Sequence, residues 1–167
     1  MQVMRYKTAG YNVEKPLLVG AILGGASKEV IKSLSEYGIK LGIAFQIKDD
    51  ILGMFGSEKK VGKPVDSDLK EGKKTLLVSK TFERLLADGR KENLERFKSI
   101  LGNYDLTIKD YRWCQSLIRE TGAMDYCQQL VEKLTEEAAV ALKDVEIDGE
   151  ARRFLLGISE FLVAREY

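Results

Sequence analysis

Apolar residues recur at three- and four-residue spacing along nearly the whole of this chain, and only two prolines, Pro16 and Pro64, interrupt it. That period belongs to helices, because a 3.6-residue turn brings such positions onto one face. Strand-like alternation is scarce. The sequence therefore predicts an all-α protein, a helical bundle. With 167 residues it is long enough to bury a core and is read as a single domain, residues 1–167. Hydrophobic content of 44% with 32% charged residues argues against disorder. A net charge of +1 leaves no field that would attract nucleic acid. Histidine is absent, which removes His-activated nucleophiles and the usual histidine-ligated zinc site. Cys114 and Cys127 have no second pair, so neither a CxxC redox centre nor a zinc ribbon fits. Both read as reduced thiols of a cytoplasmic protein. No apolar run is long enough for a membrane span, and the first ten residues lack the apolar core of a signal peptide.

Residues 1–9 read as the tail of a helix ended by Gly10. Half a helix without a partner points to further chain upstream. Pro16 suits the first turn of the next helix, 16–23, which stops at Gly24-Gly25. It is apolar nearly all round and so predicted to be buried. Ser27 caps a long helix, 28–54, with Glu29 in its first turn. Ile31, Leu34, Leu41 and Phe45 supply its packing face. Gly38 and Gly42 each cost roughly 1 kcal/mol against alanine inside a helix. Such a pair indicates close approach of another backbone or a ligand, with close helix packing the preferred reading. Residues 55–74 show no apolar period and read as loop. Further helices are expected over 75–86, 91–101, from Thr107 to about Gly122, over 124–145, and beyond Asp148. Thr107 and Asp110 have capping-box spacing. Tyr126, Leu130, Leu134, Ala138 and Leu142 form the apolar line of the fourth of these segments. Phe154, Leu155, Ile158, Phe161 and Leu162 form that of the last. Tyr111, Trp113 and Tyr126 read as core or interface aromatics rather than a ligand box.

The chemistry concentrates in residues 42–75, GIAFQIKDDILGMFGSEKKVGKPVDSDLKEGKKT. Gln46, Asp49 and Asp50 stand at i, i+3 and i+4 and so project from one side of a helix. Adjacent carboxylates repel unless a cation lies between them. Oxygen-only ligands select magnesium or calcium over zinc, and magnesium accepts few carboxylates when phosphate oxygens complete its shell. Gly62-Lys63 and Gly72-Lys73-Lys74-Thr75 pair flexible backbone with ammonium groups, which hold anions as point charges. Asp68 lies between the two lysine groups, within reach of a metal directly or through water. Lys59, Lys60 and Lys70 read as ordinary solvated charges.

GIAFQIKDDILG followed by GKPVDSDLKEGKKTLL closely resembles the second aspartate-rich region of the trans-isoprenyl diphosphate synthases, or polyprenyl synthetases. Lys7-Thr8-Ala9 and the following PLLVGAILGGA resemble the lysine-threonine motif that precedes it. The wording is most similar to archaeal farnesyl and geranylgeranyl diphosphate synthases. The motifs span residues 7–77, and 78–167 read as scaffold helices. The resemblance implies the C-terminal part of the isoprenoid synthase fold. It implies condensation of an allylic diphosphate with isopentenyl diphosphate, assisted by Mg2+. Asp49 and Asp50 would bind metal, with Asp68 making a water-mediated contact. Lys7, Lys63 and Lys73 would hold the allylic diphosphate. Thr8 and Gln46 would stand beside the carbocation.

Two features depart from the family pattern. Gly53 replaces the last aspartate of the usual DDxxD, and nothing resembles the first aspartate-rich motif or the isopentenyl diphosphate site. The chain therefore reads as the C-terminal half of such an enzyme, as a fragment or subunit that is inactive alone. Uncovered apolar faces predict an oligomer, or a partner subunit carrying the first DDxxD. The alternative is a non-catalytic binding or regulatory subunit. A magnesium-dependent hydrolase is disfavoured because no base for water is evident.

Overall fold

The computed structural model describes residues 2–56 and 66–164, and no strand occurs among them. The chain parts into two compact units, residues 2–48 with 129–164, and the described residues of 49–128.

The first unit begins with a π-helical stretch, Met4–Glu14, in which the Lys15 N–H donates to the Gly10 carbonyl. This runs directly into α1, Lys15–Leu23, with proline in its first turn and Gly25 at φ +73° beyond its end. Gly10 thus does not end a helix, contrary to expectation. Ala9 and Gly10 are both buried, and the small residues serve close packing rather than a stop. α1 is also not buried: Val19, Ile22 and Leu23 are all exposed. An all-round apolar sequence says that a helix favours cover and carries no information about which face receives it.

α2, Lys28–Phe55, is capped as expected, with the Val30 N–H donating to Ser27 Oγ at 3.3 Å. Within the first unit its buried apolar side chains are Val30, Leu34, Tyr37, Leu41, Ile43, Ala44 and Ile47. Ile31 is only half-buried and Phe45 is exposed, so the packing face lies partly to one side of the predicted line. The glycine pair is explained by backbone approach. A Cβ on Gly38 would stand 2.9 Å from Glu14 Cα, and one on Gly42 2.5 Å from Ala9 Cα. Glu14 also accepts a hydrogen bond from the Ser35 hydroxyl.

In the second unit, the stretch read as unbroken loop contains a one-turn helix, α3, Ser67–Lys70. Its sequence shows no period because Leu69 is its one apolar residue; that side chain is 1% exposed and anchors the turn. α4, Leu76–Ala87, starts at Thr75, whose hydroxyl accepts from the Val78 N–H at 3.3 Å. α5 is Lys91–Ile100. α6, Ile108–Glu120, opens with the complete Thr107–Asp110 capping box.

α7, Ala123–Ala141, begins in this unit and continues into the first. It stops four residues before the predicted Val145. Ala138 and, just past the helix end, Leu142 are buried as predicted; before them the buried line is Cys127, Val131 and Thr135, each one residue after the predicted Tyr126, Leu130 and Leu134, which are half-buried. Threonine at 135 hides the true face, since its hydroxyl satisfies itself on the Val131 carbonyl at 2.8 Å. α8, Gly149–Ala164, is capped by Asp148, whose carboxylate accepts from the Glu150 and Ala151 N–H groups at 2.9 and 3.2 Å. Leu155 and Leu162 are buried, whereas Phe154 and Phe161 are exposed. The Tyr37 hydroxyl donates to the Leu155 carbonyl at 2.7 Å and ties α8 to α2 within the first unit.

Both cysteines are free and fully buried. Burial pushes each thiol up to about 12. Neither should react with a disulfide reagent in the native protein at pH 8, and both should react in urea. A fast native-state thiol titration would contradict this.

Candidate active site

Lys63, with Lys59 and Lys60, lies outside the described residues. The other predicted site residues divide between the two units: Lys7, Thr8 and Gln46 in the first, Asp49, Asp50, Asp68 and Lys73 in the second.

In the first unit the decisive contact is between residues far apart in sequence. The Thr8 hydroxyl donates to Gln46 Oε1 at 2.8 Å in a part-buried setting. Gly42 makes this reach possible. Its missing side chain lets Ala9, next to Thr8, settle on α2 one turn before Gln46. Lys7 is exposed on the same stretch.

In the second unit, Asp49 is exposed and Asp50 is 9% exposed. They stand in the last two turns of α2, whose final carbonyls lack helical partners. One of these, at Met54, accepts from the Tyr111 hydroxyl at 2.6 Å and from Gln115 Nε2 at 2.8 Å. The two α6 side chains therefore fasten the end of the helix that carries the aspartates. Sequence reasoning read Tyr111 as a core or interface aromatic, and it is buried; Gln115 was given no role. No local pattern links position 54 to positions 111 and 115. The Asp50 carboxylate is near enough to Cys127 to add to the upward push of burial on that thiol.

Asp68 is 6% exposed in α3. Its Oδ1 meets the Lys73 ammonium at 2.6 Å, and Glu71 lies 3.1 Å from the same nitrogen. These partners raise the Lys73 pKa, the hydrogen bond that Lys73 donates to Asp68 most of all. Oδ2 of Asp68 stands 2.6 Å from where a Cβ on Gly53 would be. The turn that brings Lys73 back is pinned. The Lys73 N–H donates to the Asp68 carbonyl at 3.0 Å, and Gly72, at φ +64°, lies against Gly102. Beside Asp68, the Ser67 hydroxyl oxygen is buried without a hydrogen-bond partner. Lys70 pairs with Asp66 at 2.8 Å, in keeping with an ordinary surface charge.

In the second unit the donors are the carboxylate oxygens of Asp49, Asp50 and Asp68. Among the described residues, no three His, Cys, Asp or Glu side chains converge to hold an ion by themselves. That set suits magnesium, which keeps waters and takes phosphate oxygens to complete its octahedron. It does not suit a closed calcium or zinc cage.

The polyprenyl synthetase family model matches residues 1–118. The chain is 37% identical over 148 residues to geranylgeranyl diphosphate synthase of Saccharolobus solfataricus, covering 88% of this chain and 43% of that protein. It is 36% identical over 166 residues to geranylfarnesyl diphosphate synthase of Aeropyrum pernix, covering 99% of this chain and 49% of that one. Among solved structures, it superposes with a TM-score of 0.92 at 35% identity on geranylgeranyl pyrophosphate synthase of Corynebacterium glutamicum complexed with isoprenyl diphosphate and magnesium. That match covers 98% of this chain and 45% of the other. The chain belongs to the polyprenyl synthetase family and has its all-α fold. It spans about half the length of the curated relatives it matches. No helix among the described residues is long and apolar enough to cross a membrane.

Proposed function

We propose that this chain supplies the second aspartate wall of a short-chain prenyl diphosphate synthase, where the diphosphate of an allylic substrate is held and released. In this reading Asp49 and Asp50 bind Mg2+, and Asp68 supports them or bonds a metal-bound water. Magnesium, when bound, offsets the negative charge of the diphosphate. Lys7, Lys63 and Lys73 grip the diphosphate oxygens and stabilise the charge that develops as the allylic C–O bond breaks. Pyrophosphate departs with the electron pair. The isopentenyl double bond forms a new C–C bond to the allylic carbon, and a proton is lost. The oxygens of Thr8 and Gln46 stand beside the cationic carbon.

The observation that carries this reading is the Thr8–Gln46 hydrogen bond. Two residues named independently by motif resemblance meet at 2.8 Å. A geranylgeranyl pyrophosphate synthase of the same fold holds isoprenyl diphosphate and magnesium. The exposed apolar residues of α1 favour an assembly with a chain bearing the first aspartate motif, or with another copy.

The test has two arms. The 167-residue chain should bind inorganic pyrophosphate by calorimetry only when Mg2+ is present. It should form no prenyl product from isopentenyl and geranyl diphosphates unless a chain carrying a DDxxD motif is added. Failure to bind pyrophosphate overturns the diphosphate site. Turnover by the chain alone overturns its dependence on a second wall.

A further inference from the structure

We infer that Gly53 is a positioning residue for Lys73: the empty space at Gly53 lets the Asp68 carboxylate lie against α2, and from there Asp68 holds the Lys73 ammonium where the diphosphate binds. The inference rests on the diphosphate site proposed above and gives that site a specific internal support.

Gly53 stands four residues after Asp49 and three after Asp50, so all three positions lie on one face of α2. The space over that face at position 53 is taken by another carboxylate, Asp68 Oδ2, at 2.6 Å from the Cβ site. The opposite oxygen of the same group meets Lys73 Nζ at 2.6 Å. A carboxylate is rigid and planar, so displacing one oxygen turns the other. The backbone of Asp68 has little freedom to compensate, because its carbonyl accepts from the Lys73 N–H and its neighbour Leu69 accepts from the Gly102 N–H at 2.8 Å. Asp68 itself is almost wholly buried. A single methyl at position 53 must therefore swing the carboxylate away from the lysine. Lys73 keeps Glu71, at 3.1 Å, but loses the shorter and more buried of its two partners. The aspartate that the family pattern places at 53 is absent, and a carboxylate from fifteen residues downstream fills its space.

The experiment compares wild type, Gly53→Ala, Asp68→Ala and the double variant, all in the full chain with folding checked by circular dichroism. Two readouts are taken. The first is the 15Nζ signal of the Lys73 ammonium at one fixed pH, protected from exchange only while it is held in a hydrogen bond and assigned by the signal missing in Lys73→Arg. The second is affinity for inorganic pyrophosphate with Mg2+. In wild type the Lys73 ammonium signal should be visible. Gly53→Ala should remove it and weaken pyrophosphate binding about tenfold, the scale of one charge-assisted contact. The double variant should bind no worse than Asp68→Ala, since both changes act through one carboxylate. It also relieves the crowding, so it remains readable should Gly53→Ala fold poorly. An unchanged Lys73 ammonium signal in Gly53→Ala overturns the inference, as do additive losses in the double variant. A wild type that shows the protected Lys73 signal yet binds no pyrophosphate overturns the diphosphate reading instead.

Discussion

Replacing Asp49 and Asp50 together by asparagine is expected to weaken Mg2+-dependent binding of inorganic pyrophosphate by 100-fold or more, with the fold retained. Each carboxylate that touches a metal or its waters contributes a charge-assisted contact of about 1.5–3 kcal/mol, so two removed contacts span roughly two to four decades. Asparagine keeps shape and hydrogen bonding and deletes only the charge. Asp49 is exposed, so the single Asp49→Asn change should leave thermal stability untouched. Asp50 is 9% exposed, and its neutralisation lifts a negative charge from beside the Cys127 thiol. The double variant should therefore also lower the Cys127 pKa from about 12, a change that thiol titration at high pH would register. Calorimetry showing wild-type pyrophosphate affinity in the double variant would remove both aspartates from the site.

The largest stability effect is expected at Gly42. A Cβ there would stand 2.5 Å from Ala9 Cα and 2.7 Å from Ala9 Cβ, and a backbone atom cannot swing aside as a side-chain tip can. Gly42→Val should force the Met4–Glu14 stretch away from α2 and cost about 2–3 kcal/mol, the upper range for overpacking. Urea unfolding should show it as a lower midpoint. Gly20 in α1 is the matched control, since a Cβ there meets nothing within 4 Å. Gly20→Ala should stabilise by about 0.5–1 kcal/mol through helix propensity alone. Equal midpoints for the two variants would mean that the close approach is not maintained in solution. Gly42→Val should also part Thr8 from Gln46, so any function that needs that bond would fall further than stability does.

Local grammar made much of the fold legible. Thr107 with Asp110, Ser27, Asp148, and the glycines at 25, 89, 102 and 122 marked helix ends because a cap is settled by residues within a few positions of one another. Gly38 and Gly42 were legible as close approach, since only a gain in packing offsets their cost in a helix. Misreadings arose where the deciding partner is distant or where polarity gives no contrast. α1 is apolar on every side, so its exposure could not be read from it. The first half of the buried line of α7 lies one residue past the predicted one because Thr135 satisfies its own hydroxyl and counts as core, while Ala138 is buried as predicted. At the site, Thr8 and Gln46 were recognised through motif resemblance; 38 residues of separation erase any periodic signal between them. Gly53 read as a gap in a metal motif. That Asp68 occupies the gap depends on a single helical turn, Ser67–Lys70, which hydrophobic spacing does not encode.

Trp113 is the chain's one tryptophan, and its ring lies under the Arg96 guanidinium, 4.1 Å from ring centroid to carbon. Both residues belong to the 49–128 unit. Indole emission, excited selectively over tyrosine, therefore watches one unit and is blind to the other. Far-ultraviolet dichroism sees the helices of both. Superimposed denaturation curves from the two signals would mean that the chain melts as a single cooperative body, and separated curves that each unit has a stability of its own.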